Sequence, residues 1–183
     1  MSLARIRIAA RLLAVAAMAA LTAGCFQPMY AEHADGTPGL RDKLLGVELP
    51  PVDKPNASPE ARIGVEVRNA LAFKMYGTAT GTTPTHKLVL RFQTSRSSLI
   101  VSPITGLPTS ENFGIDAQYN LIEAGTGKSA MTGTTFSRVT YDMPGSYQRF
   151  ARTRALRDAE DRAAQEIADN IQTRLASFFF AGT

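Results

Sequence analysis

Apolar and polar positions along this chain repeat with two periods, and the switches between them mark out a series of elements. Leu45, Val47 and Leu49 alternate within Lys43–Leu49 and predict a short strand, which Pro50-Pro51 stops. Ser58-Pro59-Glu60 then opens a helix. The serine caps free N–H groups, the proline suits the first helical position, and the acid complements the dipole. Ile63, Val67, Ala70 and Leu71 recur at helical spacing, and Gly77 is a natural stop. From His86 the period falls to two. Leu88, Leu90 and Phe92 lie on one side and Lys87, Val89, Arg91 and Gln93 on the other, so a half-buried strand runs toward Arg96. Residues 97–110 read as a long connection that is apolar for a loop. Its Leu99, Ile100, Val101, Ile104 and Leu107 form a candidate contact surface, the alternative being a loop that tucks back on its own sheet.

Phe113, Ile115, Ala117, Tyr119 and Leu121 alternate against Asp116, Gln118 and Asn120 and predict the next strand. Glu123–Lys128 is a hairpin turn with two glycines, and Ser129–Tyr141 is a third consecutive strand. That strand is so rich in threonine that hydrophobicity does not separate its faces. After Met143-Pro144-Gly145, with Ser146 as a cap, Leu156, Ala159, Ala163, Ile167, Ile171, Leu175 and Phe178 step by three and four over about six turns. Asp158, Arg162 and Glu166 form a charge ladder at i, i+4 spacing on the outer face of this helix.

The order is βαβββα. A sheet needs cover on its apolar face, and two amphipathic helices supply it. The expected fold is α+β, a two-layer sandwich with a four-stranded mixed sheet and both helices on one face. The other face is then polar and threonine-rich, open unless a partner covers it. The first two strands, joined through a helix, make a right-handed parallel crossover if they are neighbours.

The N-terminus adds a different layout. Arg5, Arg7 and Arg11 precede an unbroken apolar run from Leu12 to Leu21, followed by Thr22, Ala23 and Gly24. This is the three-part arrangement of a secretory signal peptide over residues 1–24. The run of about ten apolar residues is too short for a bilayer that needs roughly 20. Cys25, the one cysteine in the chain, then stands at the expected cut and predicts a lipidated N-terminus, although Thr22 occupies the place where a lipobox commonly carries leucine. Residues 25–42, broken by Pro28, Gly36, Pro38 and Gly39, read as an extended tether, leaving residues 43–183 as one domain. A single cysteine excludes an intrachain disulfide and a cysteine-type zinc cluster.

Cleavage also changes the charge balance. The whole chain has 20 Lys+Arg against 16 Asp+Glu. Removing the three leader arginines leaves the remainder near neutrality, so the net +4 is not a nucleic-acid footprint. No catalytic set is visible. His33 lies in the tether and His86 opens a strand, neither beside a patterned acid and nucleophile, and no glycine-rich phosphate loop occurs. Asp158, Glu160 and Asp161, flanked by Arg157 and Arg162, read as helix surface. No metal, cofactor or enzymatic activity is expected. Arg91, Arg96, Lys128 and Arg138 fall on strands or a strand turn, and they are candidate contacts for the phosphates of a lipid.

These pieces together resemble one family. Cys25-Phe-Gln-Pro-Met-Tyr30 is similar to the mature start of the LPS-assembly lipoproteins LptE, with Phe26 where that family often has glycine. Arg68-Asn69-Ala-Leu71 resembles its Arg-Asn-x-Leu. The order Tyr119-Asn-Leu121, Thr126-Gly-Lys128, Tyr141, Ser146-Tyr147, Asp158-Ala-Glu160-Asp-Arg162-Ala-Ala and Ile167-Ala-Asp-Asn-Ile171 is similar to its C-terminal half. The resemblance implies a non-enzymatic lipoprotein on the periplasmic side of the outer membrane. Such a protein plugs the LptD-type β-barrel, for which Leu99, Ile100, Val101, Ile104 and Leu107 are the candidate barrel-contact loop, and binds lipopolysaccharide for assembly in the outer leaflet. Two other readings compete: an auxiliary lipoprotein of an ABC-type envelope lipid transporter, and a periplasmic hydrolase of envelope polymers.

Overall fold

A computed structural model of the chain describes residues 36–77, 82–143 and 148–181. The signal peptide, Cys25, His33 and the Ser146 cap lie outside the described residues. The chain divides into Met1–Gly39, of which only residues 36–39 are described, and Leu40–Thr183.

The second unit opens with a departure from the pattern reading. Leu40–Leu45 is a short helix, α1, and the strand that follows, β1, is only Val47–Glu48. Six residues are too few for periodicity to separate helix from strand. Leu40 and Leu44 are buried on one side of the turn. Gly46 ends α1 where a side chain does not fit, because a Cβ there would come within 2.8 Å of the Thr85 hydroxyl. Its carbonyl instead accepts hydrogen bonds from the N–H groups of Thr85 (2.8 Å) and His86 (3.1 Å).

Helix α2, Pro59–Tyr76, has the expected ends. The Ser58 side chain accepts from Ala61 N–H at 3.0 Å, and Gly77 takes a positive φ of 61° as its N–H donates to Phe73. The long elements are β2 (His86–Val101), β3 (Pro108–Glu123), β4 (Ser129–Asp142) and helix α3 (Arg149–Ala181). The sheet order is β1-β2-β3-β4. β1 pairs parallel to β2, and the other pairs are antiparallel. The mixed four-stranded α+β architecture read from the sequence is therefore present, with β1 and β2 neighbours joined through α2.

The expected 97–110 loop is mostly strand. β2 continues to Val101 and β3 begins at Pro108, so only residues 102–107 turn. Ser98 pairs with Glu111, Ile100 with Ser110 and Val101 with Pro108, and Leu99 sits at a register shift. Main-chain pairing extends the hairpin without burying side chains, which is why the hydrophobic pattern did not reveal it.

The core lies between one sheet face and the helices. Ile63, Val67 and Leu71 of α2 and Ala159, Ala163, Ile167, Ile171 and Leu175 of α3 meet Leu88, Phe92, Phe113, Ile115, Leu121 and Val139. Alanines on the inner side of α3 allow its backbone to approach closely. The ambiguous faces of β4 are resolved by partners: Ser137, Val139 and Tyr141 point to the helices, and Phe136, Arg138 and Thr140 point away. Ser137 is buried because its hydroxyl bonds the Glu166 carboxylate at 2.6 Å. Tyr119, directly opposite Gly133, lies over that glycine where any side chain would overlap its phenol.

Two readings of α3 need correction. Glu166 binds Ser137 and so leaves the charge ladder to Asp158 and Arg162, which pair at 2.9 Å. Glu160 is not helix surface. Only 4% exposed, it pairs with Arg62 and lies 3.8 Å from Arg96.

Candidate functional site

Strand register sets the composition of the open sheet face. Val89, Arg91 and Gln93 of β2, Asp116, Gln118 and Asn120 of β3, and Thr132, Thr134, Phe136 and Arg138 of β4 alternate with the core residues and share this face. Arg91 pairs in register with Gln118, and Gln118 with Thr134. The next row runs Gln93, Asp116, Phe136. A shallow trough of about 660 Å³ lies here, between this face and the segment Pro50–Lys54. That segment follows β1 along the outer side of β2. The Lys54 ammonium donates to the Phe92 carbonyl at 2.8 Å and sits 4.8 Å from the Phe92 ring centroid. A second depression of about 590 Å³ continues the face past Val89, Asn120 and Ile122. Phe136, 66% exposed, is the large apolar side chain at the trough's edge.

The four candidate phosphate contacts do not converge. Arg91 projects from the open face, and no ion pair holds it among the described residues. Lys128 sits apart at the β3–β4 turn, exposed. Arg138 is committed within the sheet. It donates to both Asp116 oxygens (2.7 and 2.9 Å) and to the Ile115 and Ser137 carbonyls, with its guanidinium 5.6 Å from the Phe136 ring centroid. Gly114 makes room for this arginine, since a Cβ there would meet Arg138 Cδ at 2.9 Å and Ser95 Oγ at 2.6 Å. Arg96 points to the opposite, helix-covered side, toward Glu160. Sequence reasoning missed Asp116 and Phe136 as companions of Arg138, because they meet only once the β3–β4 register is known.

The hairpin tip keeps every apolar side chain singled out in the sequence. Leu99, Ile100, Val101, Ile104 and Leu107 are all exposed, Ile104 by 93%. The turn itself is built locally. Ser102 Oγ accepts from the N–H groups of Ile104 and Thr105 (3.3 Å each), Gly106 takes a positive φ of 66°, and Ser102 N–H donates to Leu107 at 2.9 Å.

Below the tip, on the helix side, Tyr141 donates to the Glu111 carboxylate directly across the ladder. Burial, this hydrogen bond and the Glu111 charge push the phenol up to about 12, against the opposing pull of Arg96 and Arg152. Burial also raises Tyr76 and Tyr119. Tyr76 donates to the Val47 carbonyl. His86 stacks edge-on against Phe179 at 5.2 Å and bonds Thr85, a packing role. Among the described residues no group of His, Cys, Asp and Glu could hold a metal ion, and no helix is long and apolar enough to cross a membrane.

Fold and surfaces define a small α+β domain that covers one sheet face with its own helices and, among the described residues, leaves the other face and a hairpin tip uncovered. The model of the lipopolysaccharide-assembly family LptE matches residues 45–175, and the chain belongs to that family. The fold is similar to that of a protein from Caulobacter crescentus CB15 described as a lipoprotein (TM-score 0.60, 23% identity, 79% of this chain and 97% of that one). It is also similar to the rare lipoprotein B from Shewanella oneidensis (TM-score 0.50, 19% identity, 72% and 93%). No curated protein matches in sequence.

Proposed function

We propose that this chain is a non-enzymatic lipoprotein of the outer membrane, anchored through Cys25 on the periplasmic side. In this reading it seats within an LptD-type β-barrel and binds lipopolysaccharide on its way to the outer leaflet. The observation that carries the reading is the bare sheet face. A trough of about 660 Å³ with Arg91 at its floor and Phe136 at its edge offers a cation and apolar surface side by side, as a phosphorylated lipid requires. Membership of the LptE family supports the same assignment. Arg91 and Lys128 are the phosphate contacts we retain from the four candidates, because Arg138 and Arg96 already have carboxylate partners.

Affinity isolation of the full chain from envelopes in mild detergent tests the proposal. Recovery of a large outer-membrane barrel together with lipopolysaccharide is the expected result. Recovery of an inner-membrane permease instead would overturn it in favour of an ABC-type transporter accessory.

A further inference from the structure

The two large apolar side chains most exposed in the described residues are Phe150, 95% exposed, and Ile104, 93%. They lie at the same end of the domain. Arg152 is close enough for its charge to act on Tyr141, and Ala155 lies beside Asp142 and Met143. The Met143 N–H in turn donates to Thr109 at the base of the hairpin tip, at 2.8 Å. A helix rises about 1.5 Å per residue, so the turn before Ala155 carries Phe150 a further 7 Å or so toward the level of the tip.

Cations outnumber the carboxylates Glu111 and Asp142 at this end. Residues 97–110 hold no charged side chain, while Arg149, Arg152, Arg154 and Arg157 fall within the first nine residues of α3, with no acid before Asp158. This placement opposes the helix dipole, whose N-terminal end favours anions. Glu160 is paired with Arg62, and although Glu111 and Asp142 stay as carboxylates at this end, no salt bridge holds the exposed Arg149, Arg154 and Arg157 among the described residues.

We propose that the hairpin tip and the arginine-rich start of α3 form one docking surface for an anionic phospholipid layer. Ile104 and its apolar neighbours enter the boundary between headgroups and acyl chains, and the guanidinium groups hold the headgroup phosphates. Apolar exposure beside a cluster of cations selects an anionic lipid layer as the occupant. Leu99, Ile100, Val101, Ile104 and Leu107 are all exposed at the tip, at the same end as the cations of α3. A layer of apolar chains beneath anionic headgroups matches both features.

The inference is independent of the proposed barrel and lipopolysaccharide, because its test contains neither. The full chain carrying Cys25→Ser and Ile104→Cys presents one thiol for an environment-sensitive fluorophore. With vesicles of phosphatidylcholine plus phosphatidylglycerol the emission shifts to the blue, and with phosphatidylcholine alone it does not. A fluorophore at Ala124→Cys, at the other end of the sheet, shows no such difference. Combined Arg149→Glu, Arg154→Glu and Arg157→Glu removes the shift while circular dichroism stays unchanged, and lysines at the three positions retain it. No phosphatidylglycerol-dependent shift, or a shift indifferent to charge reversal, overturns the proposal. So does a shift that appears without vesicles as protein concentration rises, which would assign the tip to a second copy of the chain.

Discussion

The two faces of this one sheet have opposite chemistry. On the covered face Ile115, Leu121 and Leu88 meet Ile167, Ile171 and Leu175, and all six are essentially inaccessible. On the open face β2, β3 and β4 present Arg91, Gln118, Thr134 and Phe136 to solvent. The backbone is shared, so the difference resides wholly in alternate side chains. Stability is therefore concentrated on one face, and substitutions on the other face are free to answer to binding.

The contrast is broken most severely from the covered side. Ile167→Ala removes a fully buried side chain between α3 and the sheet and should cost about 2–5 kcal/mol, read as a lowered urea midpoint at unchanged slope. A smaller effect, confined to alkaline pH, belongs to Tyr141. Its pKa in the folded protein, about 12, exceeds the ordinary 10.0, so the unfolded chain loses the proton first as pH rises. The stabilisation is fully present below pH 10 and is lost as pH rises through 12. Tyr141→Phe should make the fall in melting temperature over that window shallower. Tyr76 and Tyr119, shifted in the same direction, maintain the rest. The smallest stability effect is expected for Arg91→Glu on the open face, within about 0.5 kcal/mol of the parent in the same urea titration. Lipopolysaccharide recovered with the full chain should nevertheless drop, and unchanged recovery would remove Arg91 from the proposed site.

Much of this architecture was legible because local chemistry and burial agree. Ser58, Pro59 and Gly77 delimit α2 in the sequence as they do in space, and the alternation of Phe113–Leu121 defines β3 and its buried side. What could not be read depends on partners distant in sequence. The outer halves of the β2–β3 hairpin are held by main-chain bonds that leave no hydrophobic signature. Ser137 is inside only because Glu166 meets it, and Glu160 only because Arg62 does. The candidate cations were correctly placed on strands or a turn. Which of them remain available was set by Asp116 and Glu160, neither of which is near its arginine in sequence.

The way α1 is fastened has a mechanical consequence. Leu40 and Leu44 are buried, and the Lys43 ammonium donates to the Phe179 carbonyl at 3.0 Å near the far end of the chain. Just beyond, the Tyr76 hydroxyl and the Arg68 guanidinium grip the carbonyls of Val47 and Leu49. Tension on the chain ahead of Leu40 would enter the domain at this clamp and spread into both long helices before it reached the two-residue pairing of β1 with β2. A pull from the N-terminal side thus loads the core in parallel rather than unzipping the sheet strand by strand.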